Sequence, residues 1–301
     1  MPVADRFQRK LPRLLKFARR RVLNAAFGSP SSRPVFVLGA QRSGTRLPLL
    51  VLERNRDVIA YNEGSAPFFD GVLLRDDATV RSLVAGSPFP VVILKPICES
   101  HRGGEFLDGF EDSKVVWIFR HYYDTVRSAT QKWSGALDNL RPLARGDLRA
   151  AGWRAGGLSE EQLALVRSLF SEQLPPEGAH ALMYYLRNSL FFDQGLDRRP
   201  AVRLVKYEDL ATSPARVFPE LFQFLNCAFE QRFLDGVYGS SVRKGKPPGI
   251  PAEIEALCET VYQRLSAAYA GTTGDTPVKQ DVTERRPRST PGRAQSRAKL
   301  T

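Results

Sequence analysis

The sequence predicts an α/β fold, an open and mainly parallel β-sheet flanked by helices on both faces. Three observations predict it. Short continuous apolar runs, VFVLGA (35–40), VVILK (91–95), VVWIF (115–119) and AVRLVKY (201–207), have the composition of buried parallel strands. Stretches with helical spacing separate them, as strand–helix alternation requires. The first run ends at Gly39, and Gly39-x-x-x-x-Gly44 starts like a phosphate-binding loop that joins a strand to a helix.

Taken in order, the elements divide the chain into a basic N-terminal segment (1–33), a main domain (34–271) and a basic tail (272–301). In DRFQRKLPRLLKFARRRVLNAAF (5–27), Leu11, Leu15, Ala18 and Val22 fall on one helical face among basic residues. Two readings stay open: a peripheral anchor on an anionic membrane surface, or a surface helix packed on the domain or a frayed arm. After strand 35–40, Leu47, Leu50 and Leu52 follow at helical spacing. Residues 134–198 form a helical insertion between core strands that would shape an acceptor pocket. In it, LSEEQLALVRSLFSEQL and GAHALMYYLRNSLFFDQGL are two helices, and GALDNLRPLARGDLRAAGWRAGG is loop or weak helix. After strand 201–207, Ser213-Pro214 opens a helix carrying Val217, Leu221, Phe224 and Leu225. The tail has almost no large apolar residue and is predicted disordered.

With 301 residues and 43% apolar composition, the chain can bury a sizeable core. The net charge of +12 lies at the ends. Residues 1–33 carry nine Lys/Arg against Asp5, and 272–301 carry seven against three acids, so 34–271 is neutral. A neutral body argues against specific nucleic-acid binding. Cys98, Cys227 and Cys258 have neither disulfide nor metal spacing and suit a reducing compartment. The absence of a long apolar run predicts a cytoplasmic chain, with peripheral membrane attachment through 5–27 as the one membrane option. His101, His121 and His180 show no pairing for a metal or a catalytic triad, so no metal is expected.

The glycine loop points to anion chemistry. The backbone N–H groups of Gln41, Arg42, Ser43, Gly44, Thr45 and Arg46 would face a ligand at the strand–helix junction, and Arg42 adds a forked cation. A triphosphate-binding loop needs Lys after its second Gly. This chain has Thr45 there.

GAQRSGTRLPLL resembles the 5′-phosphosulfate loop of sulfotransferases that use 3′-phosphoadenosine 5′-phosphosulfate, a family with a P-loop-like sheet and no such lysine. VVWIFRHYYDTVRSATQKW (115–133) resembles that family's 3′-phosphate motif, with Arg120 and Ser128 eight residues apart and Lys132 one turn further. The usual R-N-P-x-D is here R-H-Y-Y-D, without the proline but with Asp124. VKYEDLATSPARVFPELFQFLN (205–226) resembles the R-Y-E-D-L segment, where Tyr207 either contacts nucleotide or is a core aromatic. RNRDVIAYNEGSAPFF (54–69) resembles a segment of protein-tyrosine sulfotransferases, and Asp57 and Glu63 hold its spacing. The resemblance implies Glu63 as base, Lys95 as electrostatic stabiliser, and Arg42 and Ser240 as further catalytic groups. Ser241 is an equal alternative to Ser240, and Arg243, Lys244 and Lys246 share that loop. His101 is a reserve base.

Covering roughly 34–271, the resemblance is to the R-S-G-T branch, which includes protein-tyrosine and carbohydrate sulfotransferases. It implies metal-independent sulfuryl transfer to a hydroxyl on a carbohydrate, glycolipid or tyrosine. The alternatives are a P-loop kinase or triphosphatase, and an inactive nucleotide-binding member of the same fold.

Overall fold

The computed structural model describes residues 3–237 and 246–273, with side chains for 13–237 and 246–271. Ser240, Ser241, Arg243, Lys244 and the tail from 274 lie outside the described residues. Helix α1 (Val3–Phe27) leads into strand β1 (Arg33–Gly39), α2 (Arg46–Leu52), β2 (Val58–Asn62), and the short strands β3 (Phe69–Asp70) and β4 (Leu73–Leu74). Then come α3 (Asp77–Ala85), β5 (Val91–Lys95), α4 (Gly103–Gly109), β6 (Lys114–Phe119) and α5 (Tyr122–Lys132). The stretch before the last strand is helical: α6 (Ala136–Ala144), α7 (Leu148–Ala151), α8 (Glu160–Leu169) and α9 (Pro176–Asp193). Strand β7 (Val202–Lys206), α10 (Tyr207–Thr212), α11 (Pro214–Phe224) and α12 (Ala252–Thr273) complete the elements among the described residues.

The main sheet has the order β2-β5-β1-β6-β7, and every pairing in it is parallel. Strands β1, β5 and β6 are buried on both faces, which is why they read as unbroken apolar runs. Alternation along β1 sends Phe36 and Leu38 to one face and Val35 and Val37 to the other. The first face carries α3, α4, α5, α9 and α12, centred on Trp117, which lies 5.5 Å from Phe191, and on Phe36 stacked 4.2 Å from Phe106. The second face carries α2, α10 and α11 through Leu49, Leu210 and Phe218.

Two local outcomes differ from the sequence reading. GALDNLRPLA, read as loop or weak helix, forms α6 despite Pro142, because Ala136, Leu140 and Leu143 bury one helical face. Strand β2 is not predicted by the sequence. Its apolar run is only three residues before Tyr61 and Asn62, too short to register as a core strand. The segment LSEEQ begins α8 with a reciprocal cap, Ser159 Oγ accepting from Gln162 N–H at 3.2 Å and Gln162 Oε1 from Ser159 N–H at 2.9 Å.

Trp117 is fully buried, and its indole N–H has no hydrogen-bond partner. Trp117→Ala is expected to cost about 3–5 kcal/mol in urea unfolding. Trp117→Phe removes the unpaired N–H with little lost volume and should cost less than about 1.5 kcal/mol.

Candidate functional site

Strand order reverses around β1, and ligands of open α/β sheets bind beyond the carboxyl ends at such a point. The β1–α2 turn occupies it. The Gly39 N–H donates to the buried Ser100 hydroxyl at 3.1 Å. Gly39 has φ +138°, and a Cβ there would stand 2.3 Å from the Ile118 carbonyl oxygen of the next strand. Gly44 has φ +83°, and a Cβ would stand 2.1 Å from the Tyr207 ring. Both positions therefore require glycine. Arg42 takes φ +67°, uncommon for a residue with a side chain. Ser43 is fully buried, and its hydroxyl has no partner. Helix α2 is only seven residues long, with Pro48 third, so no N–H is lost that the helix would have paired.

The left-handed turn at Arg42 carries its side chain across to α5. Its Nε and Nη2 donate to Ser128 Oγ at 3.0 and 2.9 Å, and its guanidinium lies 5.6 Å from the Trp133 ring centre. Arg42 and Ser128, assigned by the sequence reading to opposite ends of a nucleotide, are thus in contact. Arg120 follows β6 directly. Its guanidinium sits 3.4 Å from Asp124 and 4.6 Å over the Tyr207 ring. Burial, with Arg120 close by, pushes the Arg42 guanidinium below its ordinary pKa. Arg127 pairs with Asp124 at 3.1 Å and donates to the Lys246 carbonyl at 2.7 Å, tying the chain at 246 to α5. Tyr207 is buried between Gly44 and Arg120. Gln41 and Lys132 line the cavity described next, and Arg46 is exposed on α2. Thr45 is buried at the α2 N-cap without a side-chain cap bond.

On the other side of the loop, the parallel register pairs Asn62 of β2 with Lys95 of β5. Glu63 is the next residue on, and its Oε2 accepts from Lys95 Nζ at 3.0 Å. Its Oε1 accepts from the Cys98 backbone N–H at 3.0 Å. Glu63 also lines a cavity of ≈620 Å³, together with Gln41, Lys132, Trp133, Trp153 and Arg154. Gln41 of the loop and Glu63 thus meet in one cavity, to which α5 contributes Thr125 and Ala129 and α9 contributes His180 and Met183. Asp57 is placed elsewhere, at the start of β2, paired with Arg20 at 2.7 Å.

Sequence reasoning missed Arg187 of α9. It is fully buried, and its Nη2 donates to the carbonyls of Ile97 and Cys98 at 3.3 and 3.2 Å, holding the turn that presents the Cys98 N–H to Glu63. Burial pushes its pKa down to about 10. The available signal was Arg187-Asn188 interrupting the apolar run LMYYL…SLFF. Burial, reinforced by Glu63, raises the Cys98 thiol to about 12. His101 packs against Gly156 and Gly157, and burial, with Arg187 nearby, lowers it to about 4. Among the described residues, no three His, Cys, Asp or Glu side chains gather as a metal site would need.

No protein-family model matches the chain, and neither does any curated protein. Among solved structures, it is similar to a sulfotransferase domain from the curacin biosynthetic pathway, at 16% identity over 78% of this chain and 99% of that one, with a TM-score of 0.49. It is similar to a sulfotransferase domain from the Synechococcus PCC 7002 olefin synthase, at 15% identity over 77% and 96%, with a TM-score of 0.48. A sulfotransferase from Alicyclobacillus acidocaldarius is similar at 16% identity over 82% and 97%, with a TM-score of 0.44. These are likenesses of fold alone, and no residue's role passes from them to this chain.

Proposed function

We propose that this chain is a sulfotransferase that moves a sulfuryl group from 3′-phosphoadenosine 5′-phosphosulfate to a hydroxyl acceptor. The observation that carries the reading is a convergence on one rim of the sheet. The glycine turn after β1, Glu63 after β2, Lys95 at the end of β5 and Arg120 after β6 all stand at the carboxyl ends of parallel strands, Arg42 of the turn bonds Ser128 on α5, and Gln41 and Glu63 line one cavity. The donor fits two features of that rim: a buried, unpartnered Ser43 hydroxyl in the turn, and two guanidiniums brought close together beside a serine.

When bound, the donor supplies an activated sulfuryl group and leaves as 3′-phosphoadenosine 5′-phosphate. In this reading Arg120, Ser128 and Arg42 hold its 3′-phosphate, with Lys132 one turn further along α5. Ser43, Thr45 and the turn's backbone N–H groups hold the phosphosulfate, and Gln41 and Arg46 border it. Tyr207 supports the turn and Arg120 from beneath. Lys246, held to α5 through the Arg127 contact to its carbonyl, borders the 3′-phosphate. Glu63 takes the acceptor's hydroxyl proton as that oxygen bonds to sulfur and the sulfur–oxygen bond to phosphate breaks. Lys95 offsets the charge that gathers on the departing oxygen. Trp133 and Trp153 give the acceptor cavity aromatic walls suited to a sugar ring, a glycolipid head or a tyrosine.

The direct test pairs binding with turnover. 3′-Phosphoadenosine 5′-phosphate should raise the melting temperature of the chain, and ATP with Mg²⁺ should not. Glu63→Gln should lower turnover by about 10²-fold or more while leaving affinity for that nucleotide unchanged. Full turnover in Glu63→Gln would place the base elsewhere. Arg120→Ala should weaken the nucleotide about tenfold to a hundredfold by calorimetry, with circular dichroism checking that the variant remains folded. Equal affinity in wild type and variant would remove Arg120 from the donor site.

A further inference from the structure

Helix α1 packs on the domain by its cationic face, opposite to what an isolated amphipathic helix would do. It runs antiparallel to edge strand β2. Arg13 donates to the Ala60 carbonyl at 3.0 Å, and Lys16 donates to the carbonyls of Glu53 and Val58, each at 2.5 Å. Arg20 pairs with Asp57 at 2.7 Å and donates to the Pro88 carbonyl at 3.0 Å, and Asn24 donates to the same oxygen at 2.9 Å. Phe17 meets Phe89 edge-on at 4.8 Å. Basic side chains therefore satisfy carbonyls along the sheet edge.

The opposite face is left uncovered. At about 100° per residue, Leu14, Ala18, Val22 and Leu15 form one stripe, with Arg21 on one flank and Arg19 on the other. Leu14, Leu15 and Val22 are 64%, 62% and 68% exposed. Beside the stripe, α1 and the turn between α2 and β2 enclose a groove of ≈290 Å³ lined by Leu15, Lys16, Arg19, Arg20, Arg54 and Arg56. The nearby acids are already engaged: Asp57 by Arg20, and Glu53 by Arg13 at 3.5 Å. Arg56 approaches Asp57 only at 4.0 Å and is 70% exposed.

We propose that this face docks on an anionic lipid bilayer. Leu14, Leu15 and Val22 enter the boundary between headgroups and acyl chains, Arg19 and Arg21 extend to the phosphates, and the groove takes a lipid headgroup phosphate. Charge complementarity selects this occupant. Exposed Arg19 and Arg21 flank the stripe and Arg56 borders the groove, with the nearby acids already paired, so pairing the face with a second copy would oppose like charges, whereas an anionic surface neutralises them. No helix among the described residues is long and apolar enough to cross a membrane, so this attachment is lateral. The proposal does not depend on the chemistry assigned to the crevice.

Co-sedimentation of the full chain with vesicles tests it. Equal parts phosphatidylserine and phosphatidylcholine should capture the chain, and phosphatidylcholine alone should not. Leu15→Ser with Val22→Ser should abolish capture. Arg19→Gln with Arg56→Gln should weaken it about tenfold or more, near fivefold per cation. Urea unfolding verifies that both variants stay folded. Equal capture by neutral vesicles, no capture at all, or undiminished capture of the Leu15/Val22 variant would overturn the proposal. A dimer in sedimentation velocity that the same variant dissolves would also overturn it, since a second copy would then cover the face.

Discussion

Tyr207 joins the glycine turn to Arg120. One side of its ring occupies the space that a Cβ on Gly44 would fill, and the Arg120 guanidinium lies over it at 4.6 Å. The ring follows β7 directly, so the second helical face, the glycine turn and the carboxyl end of β6 are all referenced to one aromatic plane. That arrangement needs glycine at 44, because any side chain would displace the ring and with it the arginine. The same geometry leaves Arg42 in a left-handed conformation, which turns its guanidinium toward α5 and Ser128 instead of out along the loop. A backbone conformation of that kind costs of order 1–3 kcal/mol and persists only where the surroundings fix it.

Charge is distributed unevenly across the crevice. Around Arg42 and Arg120, cations stand close together, and Asp124 is shared between Arg120 and Arg127. Around Glu63 the pairing is nearly closed: an ammonium on one oxygen, a backbone N–H on the other, and a buried Arg187 holding the turn behind them. A largely buried ion pair adds little net stability, and the Glu63–Lys95 pair instead fixes where the Glu63 carboxylate meets the cavity.

The strands with both faces buried were legible because burial on both sides leaves an unbroken apolar run, as in β5 and β6. Strand β2 sits at the edge and was hidden, and with it the register that sets Glu63 against Lys95. Each of those residues could be singled out in the sequence, yet their contact depends on a pairing that the sequence did not display. The Arg42–Ser128 contact was equally out of reach, since it follows from a positive φ at a residue that is not glycine. For α1 the amphipathic stripe was legible and its orientation was not. Spacing alone cannot tell that edge-strand carbonyls will recruit the basic side. Buried Arg187 left a trace only as a charge inside an apolar helix.

Cys98 stands in the cavity wall within reach of the Glu63 carboxylate, and burial holds its sulfur in the protonated form up to about pH 12. A thiol held protonated is a poor nucleophile, so this wall cysteine is spared the oxidation and alkylation that consume cysteines with thiolate character.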